Sequence, residues 1–265
     1  MSADSGWAER WTLVRRELAL WEEAGSTARL WLRDDDAASV TPALIRLCEL
    51  CKAHAVPALL AAIPSQADGE LAGYLSGHPL VEVASHGWTH RNHGLPGRKA
   101  EFPDHRPHAE VLRELRWARE RTVALFGSQA VPIYVPPWNR ISSEVADLLP
   151  HAEFCALSTI GRDSLAGLRA DVRLINVHLD IIDWRGSRGG RDRDELVEEL
   201  ANHLAWARSN GGTAIGVLTH HLVHDGCAWE FLDELFAETA ACRAAQWVRA
   251  SDLLTARLDG SADPH

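Results

Sequence analysis

The chain has 265 residues, a mass of 29.2 kDa and a formal net charge of −10 at pH 7. This charge argues against nucleic acid and against a membrane surface as partners, because both normally select a basic face. No apolar stretch reaches the length of about 18 residues that a membrane span needs. The chain begins without an export signal, and its five cysteines are an odd number without disulfide spacing. We therefore expect a cytoplasmic protein whose partner is a small molecule or a glycan, of unknown oligomeric state.

The first predicted element is an amphipathic helix over residues 5–24, in which Trp11 and Trp21 fall on one apolar stripe. We expect residues 1–265 to form a single domain, with residues 1–25 as a helix that precedes the main fold.

After this helix, apolar runs typical of buried strands alternate with amphipathic helical patterns. This alternation indicates parallel βαβ units and an α/β fold. We expect a distorted (β/α) barrel of about seven or eight mostly parallel strands, with a doubly wound open sheet as the alternative. Strands are predicted over residues 29–34, 57–63, 80–85, 131–135, 154–158, 174–177, 214–219 and 247–249, and helices over 42–55, 66–76, 106–126, 142–149, 192–209 and 228–241.

Two histidines four residues apart, His86 and His90, follow the third predicted strand. If the chain coils into one helical turn after Ser85, both imidazoles lie on the same face and can reach one metal ion. Taken alone, the pair is a weak signal for a metal, and two surface or capping histidines are the alternative. A metal site needs at least one further ligand from elsewhere in the chain.

Three adjacent carboxylates, Asp34, Asp35 and Asp36, end the first predicted strand. They repel one another unless a cation lies among them, and the alternative is a solvated acidic turn before a helix. Because the carboxyl ends of the strands of a barrel converge, these carboxylates would lie with His86 and His90 at one open end of the barrel, its mouth. Two imidazoles and one carboxylate are the protein ligands of a catalytic zinc-type site.

Further strand ends also place aromatic and ionisable side chains at the same mouth. They are the Pro-Pro-Trp turn at residues 136–138, the Asp-Trp pair at residues 183–184, and Leu-Thr-His-His at residues 218–221. In this order, with Asp-Asp after strand one and His-x-x-x-His after strand three, the chain resembles the polysaccharide deacetylase family, the NodB-like carbohydrate esterases. The resemblance spans about residues 30 to 221. It implies a distorted barrel and a metal-dependent deacetylase that uses a divalent metal, most commonly zinc.

The resemblance also implies roles for individual residues. Aligned on the family's Asp-Asp motif, Asp35 takes the position of the catalytic base and Asp36 that of a metal ligand, with His86 and His90 as the other two ligands. A shift by one residue would move the two carboxylate roles to Asp34 and Asp35, and that alternative stays open.

The general acid of the family corresponds to His220, with His221 as the alternative, and Asp183 is expected to hold His220 in its protonated orientation. The arginine that the family places before the proline turn is replaced here by Val135. We expect Arg33 to supply that cation, because it lies two residues before the predicted base on the same strand face.

The reaction implied is removal of an acyl group, most simply acetyl, from an N-acylated sugar or related small molecule. Two other functions stay open: a barrel that binds a metal or glycan without turnover, and another metal-dependent amidohydrolase or isomerase, for which His178 and His224 could supply further ligands. Packing anchors are the alternative for the tryptophans among the predicted substrate-binding residues, which are Trp88, Pro137, Trp138, Trp184 and Leu218.

Overall fold

The computed structural model describes residues 9–162 and 165–255, and these residues contain nine strands. The strands are β1 (Ala28–Ala37), β2 (Ala58–Ala62), β3 (Val81–His86), β4 (Ala130–Val135), β5 (Ala156–Leu157), β6 (Arg173–Leu174), β7 (Val177–Asp180), β8 (Ile215–Thr219) and β9 (Ala245–Trp247). The helices are α1 (Thr12–Glu23), α2 (Pro42–Ala53), α3 (Gly69–Ser76), α4 (His108–Phe126), α5 (Ser143–Ala146), α6 (Arg193–Ser209), α7 (Gly226–Thr239) and α8 (Asp252–Thr255).

The strands pair in parallel in the order β6-β5-β4-β3-β2-β1-β8-β7, and β9 pairs with the start of β1. Ile160, just after β5, forms a parallel bridge with Val177 of β7, which brings the two sides of the curled sheet together. The predicted distorted (β/α) barrel of parallel strands is therefore confirmed.

The predicted strand over residues 174–177 is in fact two strands, so the described sheet has one strand more than expected. β6 pairs with β5, whereas β7 pairs with β8 on the far edge. Asn176 lies between them, and its side-chain oxygen accepts hydrogen bonds from the backbone N–H and the hydroxyl of Thr159. The chain crosses here from one edge of the sheet to the other, which the apolar pattern does not reveal.

The N-terminal helix α1 packs on the outer helices α6 and α7. The indole N–H of Trp11 donates to Glu234 at 2.9 Å, and that of Trp21 donates to the backbone oxygen of Leu204 at 3.2 Å. Residues 5–8 of the predicted helix lie outside the described residues. None of the helices in the described ranges is long and apolar enough to cross a membrane.

Strand β1 lies between β2 and β8 and extends through all three aspartates, beyond the predicted end at Asp34. It can do so because Arg33, Asp34 and Asp35 are buried against partners of opposite charge. The pairing of β1 with β2 shifts between Asp34 and Ala37, and Asp36 has a φ of 73°. A bulge of this kind turns a side chain away from the regular alternation of a strand, and here it redirects Asp36.

Candidate functional site

Asp36, His86 and His90 form a compact cluster at the carboxyl ends of β1 and β3. The Oδ1 atom of Asp36 lies 3.2 Å from Nε2 of His86 and 3.2 Å from Nε2 of His90. Among the residues that the structure describes, this is the one group of three or more His, Cys, Asp or Glu side chains whose ligand atoms all lie within 4.8 Å of one another. The sequence-predicted ligands are thus brought together.

The two histidines converge without the helical turn that we expected. His86 is the last residue of β3, Gly87 follows with a φ of 63°, and His90 has a φ of 58°. Trp138 and Asn139 on the neighbouring proline turn also have positive φ angles, of 58° and 55°. Left-handed backbone at non-glycine residues is unfavourable and persists where the surrounding structure enforces it, so this mouth is held in a strained shape.

The donor set fits a divalent metal ion. His86 Nδ1 is 3.1 Å from the backbone oxygen of Val135, to which it donates, so the ring is held with Nε2 toward Asp36. The Oδ1 atom of Asp36 is buried and has no hydrogen-bond partner among the described residues. Burial raises the pKa of Asp36, but the contact with His86 and the charges of His86, His220 and His90 lower it more, and the pKa lies well below its ordinary value. The carboxylate therefore stays ionised, as a metal ligand must.

Beside this cluster, Asp35 forms a buried ion pair with Arg33. Nη2 of Arg33 donates to Oδ2 of Asp35 at 3.0 Å, and Nε lies 2.9 Å from Oδ1. Arg33 also donates to the Ser158 hydroxyl at 2.8 Å and to the Asn139 side-chain oxygen at 2.5 Å. The predicted Arg33–Asp35 contact is present, and its two polar anchors, Ser158 and Asn139, were not predicted because they come from distant strand exits.

His220 lies across the mouth from the metal-type cluster. Its Nε2 atom is 3.9 Å from Oδ2 of Asp35, and the edge of the Trp184 indole meets its ring at 4.7 Å between centroids. The indole N–H of Trp184 donates to Asp180 at 2.9 Å. Burial raises the pKa of Asp180, opposed by the Ile182 N–H, the charge of His220 and the Trp184 contact. Asp180 therefore reaches the His220 side of the site through the Trp184 indole.

Asp183, which we expected to hold His220, has a different set of contacts. Its carboxylate accepts hydrogen bonds from the backbone N–H groups of Arg185, Gly186 and Ser187 at 2.9 to 3.2 Å. These bonds, the one from Ser187 foremost, lower the pKa of Asp183. Asp183 shapes the loop after β7, whereas Asp180 accepts the indole N–H of Trp184, whose ring packs on His220. Asp180 is the last residue of β7, which is the signal that could have favoured it.

The adjacent pair Asp34 and His221 points away from this arrangement. Nδ1 of His221 is 2.5 Å from Oδ1 of Asp34, and the backbone N–H of His221 donates to Oδ2 at 2.8 Å. Both side chains are almost wholly buried. Asp34 and His221 thus satisfy each other, so neither the one-residue shift of the aspartates nor the alternative of His221 as the acid fits this geometry.

The predicted substrate-binding residues divide into two groups. The Trp138 ring lies 4.6 Å from the His90 ring, and Trp184 is 44% exposed over His220, so both line the mouth. Pro137 packs against Gly87, where an added Cβ would come within 2.7 Å of it.

The other two predicted residues have different environments. Leu218 is fully buried within β8. The Trp88 ring lies 6.0 Å from Trp117, at a groove of about 530 Å³ on α4 that these two indoles line with Glu120, Arg121 and Ala124. Trp88 is therefore a contact of α4 rather than of the His220 side of the mouth.

The fold and the cluster together define a class: an α/β barrel with an Asp-His-His centre of metal-ligand type at the carboxyl ends of its strands. No family model matches the sequence, and no curated protein matches it.

Solved structures do match this fold. A Mycobacterium smegmatis protein described as a polysaccharide deacetylase aligns at 18% identity and a TM-score of 0.62, covering 86% of this chain and 89% of that one. A family 4 acetyl xylan esterase from Clostridium thermocellum, in complex with a cobalt ion, aligns at 14% identity and 0.55, covering 86% and 90%. A mutant of a carbohydrate esterase family 4 pseudoenzyme with restored activity aligns at 17% and 0.58, covering 86% and 68%. At these identities the likeness concerns the fold, and it confirms the predicted deacetylase fold.

Proposed function

We propose that this chain is a metal-dependent deacetylase, a hydrolase that acts through one catalytic domain on the acyl group of an N-acylated sugar or related small molecule. The observation that carries this proposal is the juxtaposition of two sets of groups. An ionised Asp36 meets two imidazole nitrogens, while a second carboxylate, Asp35, lies between Arg33 and His220. A barrel that only bound a metal would need the first set alone.

Asp36, His86 and His90 are the residues that would hold the divalent metal, and zinc is the first candidate because it favours nitrogen and carboxylate ligands with an open position. When bound, such a metal lowers the pKa of a coordinated water toward ~7 and polarises the acyl oxygen.

Asp35 acts as the general base and accepts the proton of the attacking water. Arg33 and Asp35 are fully buried and paired at 2.9 to 3.0 Å, so the carboxylate is fixed in one orientation before substrate arrives. Because the base is already oriented, it does not have to rotate into position during the reaction. The pair replaces an arginine that the family supplies from the proline turn.

His220 acts as the general acid and gives a proton to the nitrogen of the leaving amine. Its ring is held by the edge of Trp184, and Trp184 is tied in turn to Asp180. Asp180 therefore keeps the imidazole oriented through the Trp184 indole. The Trp138 and Trp184 faces would enclose the acyl group or the sugar ring.

The five cysteines are all unpaired, which supports a reducing, cytoplasmic compartment and thereby a small N-acyl compound over an extracellular polymer.

Two measurements on the purified protein test this proposal. We expect about one zinc per chain after reconstitution and release of acetate from at least one member of a panel of N-acetylated sugars and amines. The Asp35→Asn variant should keep the zinc and lose the acetate release. A chain that takes up no zinc would contradict the metal centre, whereas stoichiometric zinc without turnover on any panel member would favour the non-catalytic binding barrel.

A further inference from the structure

A buried glutamate from a separate loop closes the turn that carries the two histidines. Glu101 belongs to the 91–105 loop, which lies between that turn and α4, and it is only 1% exposed. Its Oε2 accepts the backbone N–H of Trp88 at 3.0 Å. Its Oε1 accepts the backbone N–H of Thr89 at 2.7 Å and the Thr89 hydroxyl at 2.9 Å. All three donors lie between His86 and His90 in sequence.

The glutamate also fills the space that a side chain at Gly87 would need. A Cβ atom at that position would lie 1.8 Å from Oε2 of Glu101 and 2.7 Å from Cγ of Pro137. The φ of 63° at Gly87 would be unfavourable for any other residue. Gly87, Glu101 and Pro137 therefore pack closely together, and these contacts fix the backbone path from His86 to His90.

A carboxyl side chain suits this arrangement, because three donors converge on its two oxygens. A glutamine would have to turn its amide N–H groups toward one of those donors. Charge-assisted hydrogen bonds of this kind are shorter and stronger than neutral ones. The Arg106 guanidinium, whose pKa the hydrogen bond to Glu114 and the nearby carboxylates raise, also approaches the backbone oxygen of Glu101 at 3.5 Å.

We propose that Glu101 is a positioning residue for the metal: it presets the His86–His90 turn in the ligating shape and couples the 91–105 loop to metal binding. This inference rests on the proposed metal centre. Residues that orient the ligands of a metal usually do so by a bond to the ligand ring itself. Glu101 instead acts on the backbone between two ligands, so its effect should appear in metal affinity before any substrate is present.

The primary test is zinc affinity, measured by competition with a chromogenic chelator. We expect Glu101→Gln to weaken zinc binding by roughly 10- to 100-fold, the usual effect of losing an outer-shell partner. Thr89→Val removes one of the three donors and should weaken binding less, and Thr89→Ser should restore it. Glu120→Gln, an exposed glutamate on α4, is the matched control and should leave zinc affinity unchanged.

Hydrogen exchange gives a readout that does not depend on affinity. Adding zinc to the wild-type chain should slow exchange of the Trp88 and Thr89 amides and of the 91–105 loop together, and Glu101→Gln should uncouple the loop from the turn. Should Glu101→Gln fail to fold, the Thr89→Val and Thr89→Ser pair decides. Equal zinc affinity of all folded variants would overturn the role of Glu101 while leaving the metal centre intact. Failure of the wild-type chain to bind zinc would overturn both.

Discussion

The protein contains two pairs of neighbouring histidines, and the two pairs differ in the groups that their ring nitrogens contact. In the first, His86 and His90 direct Nε2 atoms toward one carboxylate oxygen that has no hydrogen-bond partner among the described residues. In the second, His178 of β7 meets His203 of α6 with ring centroids 5.6 Å apart.

Each imidazole of the second pair accepts a hydrogen bond from the protein at Nδ1, whereas Nε2 of His203 has no hydrogen-bond partner among the described residues. The backbone N–H of Gly216 donates to Nδ1 of His178 at 3.1 Å, and Arg162 donates to Nδ1 of His203 at 2.8 Å. Burial, with the charges of His203 and Arg162, lowers the pKa of His178 to about 4. These imidazoles are neutral packing groups.

The two pairs differ in what their ring nitrogens contact: those of His86 and His90 converge on one carboxylate oxygen, whereas those of His178 and His203 accept hydrogen bonds from the protein. This difference, rather than burial or neighbours in sequence, distinguishes candidate metal ligands from core histidines. It also removes the role that the sequence left open for His178 and His224 as further metal ligands. His224 contacts Thr219 and lies 4.3 Å from the Trp229 ring, outside the metal-type cluster of the described residues.

The largest expected effect separates the two pairs directly. His86→Ala should reduce zinc content to trace levels. It should also lower kcat/KM by about 10³-fold or more, because the metal would no longer stabilise the transition state by several kcal/mol. His203→Gln should keep both zinc and activity. Elemental analysis and acetate release measure the two outcomes, and loss of zinc from the His203 variant would contradict the division.

The next effect isolates the base from the metal. Asp35→Asn should lower kcat by about 10²- to 10⁴-fold, the range for a general base, at unchanged zinc content. Unchanged kcat would exclude Asp35 as the base.

Arg33 should affect both stability and rate. Arg33→Ala leaves the Asp35 charge buried and alone, which we expect to cost about 3–5 kcal/mol of unfolding free energy and to lower kcat/KM. Arg33→Lys should recover part of each, because a lysine keeps the charge without the planar contacts to Ser158 and Asn139. Urea unfolding and steady-state kinetics provide the comparison. A kcat/KM untouched by Arg33→Ala would show that the arginine does not serve the base.

A smaller effect should distinguish the two aspartates after β7. Asp180→Asn is expected to lower kcat by roughly 10-fold, within the contribution of an acid–base group, with little change in KM. Asp183→Asn should mainly loosen residues 185–187, which limited proteolysis detects, and should spare kcat. The reverse pattern would restore Asp183 as the partner of His220.

The last effect concerns the pair of His178 and His203 and its response to pH. The folded-state pKa of His178 lies below its ordinary value of 6.5, so between pH 6.5 and about 4 the unfolded chain binds more protons and stability falls as pH falls. The loss is at most about 3 kcal/mol at 1.36 kcal/mol per pKa unit. His178→Gln should flatten this fall in urea titrations, whereas the exposed His105→Gln should not.

The metal-type cluster could be predicted because the carboxyl ends of parallel strands converge. The spacing of His86 and His90 marked them as candidates, although the helical turn that this spacing implied is absent. The Arg33–Asp35 pair followed from strand alternation.

The rest depends on irregular backbone, which has no period in the sequence. The bulge at Asp36 lies beyond the expected end of the first strand, and the left-handed turn at Gly87 replaced an expected helical turn. Glu101 reaches the turn from a loop without pattern, and the choice of Asp180 over Asp183 depends on where β7 ends.

The positive φ angles at Asp36, His90, Trp138 and Asn139 have an evolutionary consequence. Four of the seven non-glycine residues with positive φ in the described ranges lie at this one mouth. Left-handed backbone is unfavourable by about 1–2 kcal/mol for most residues, although Asp and Asn adopt it more readily, so glycine at Asp36 or Asn139 would relieve some strain while removing a side chain that the site uses. Selection for thermal stability alone would therefore favour substitutions at the site residues themselves. Stability and activity thus oppose each other at these four positions.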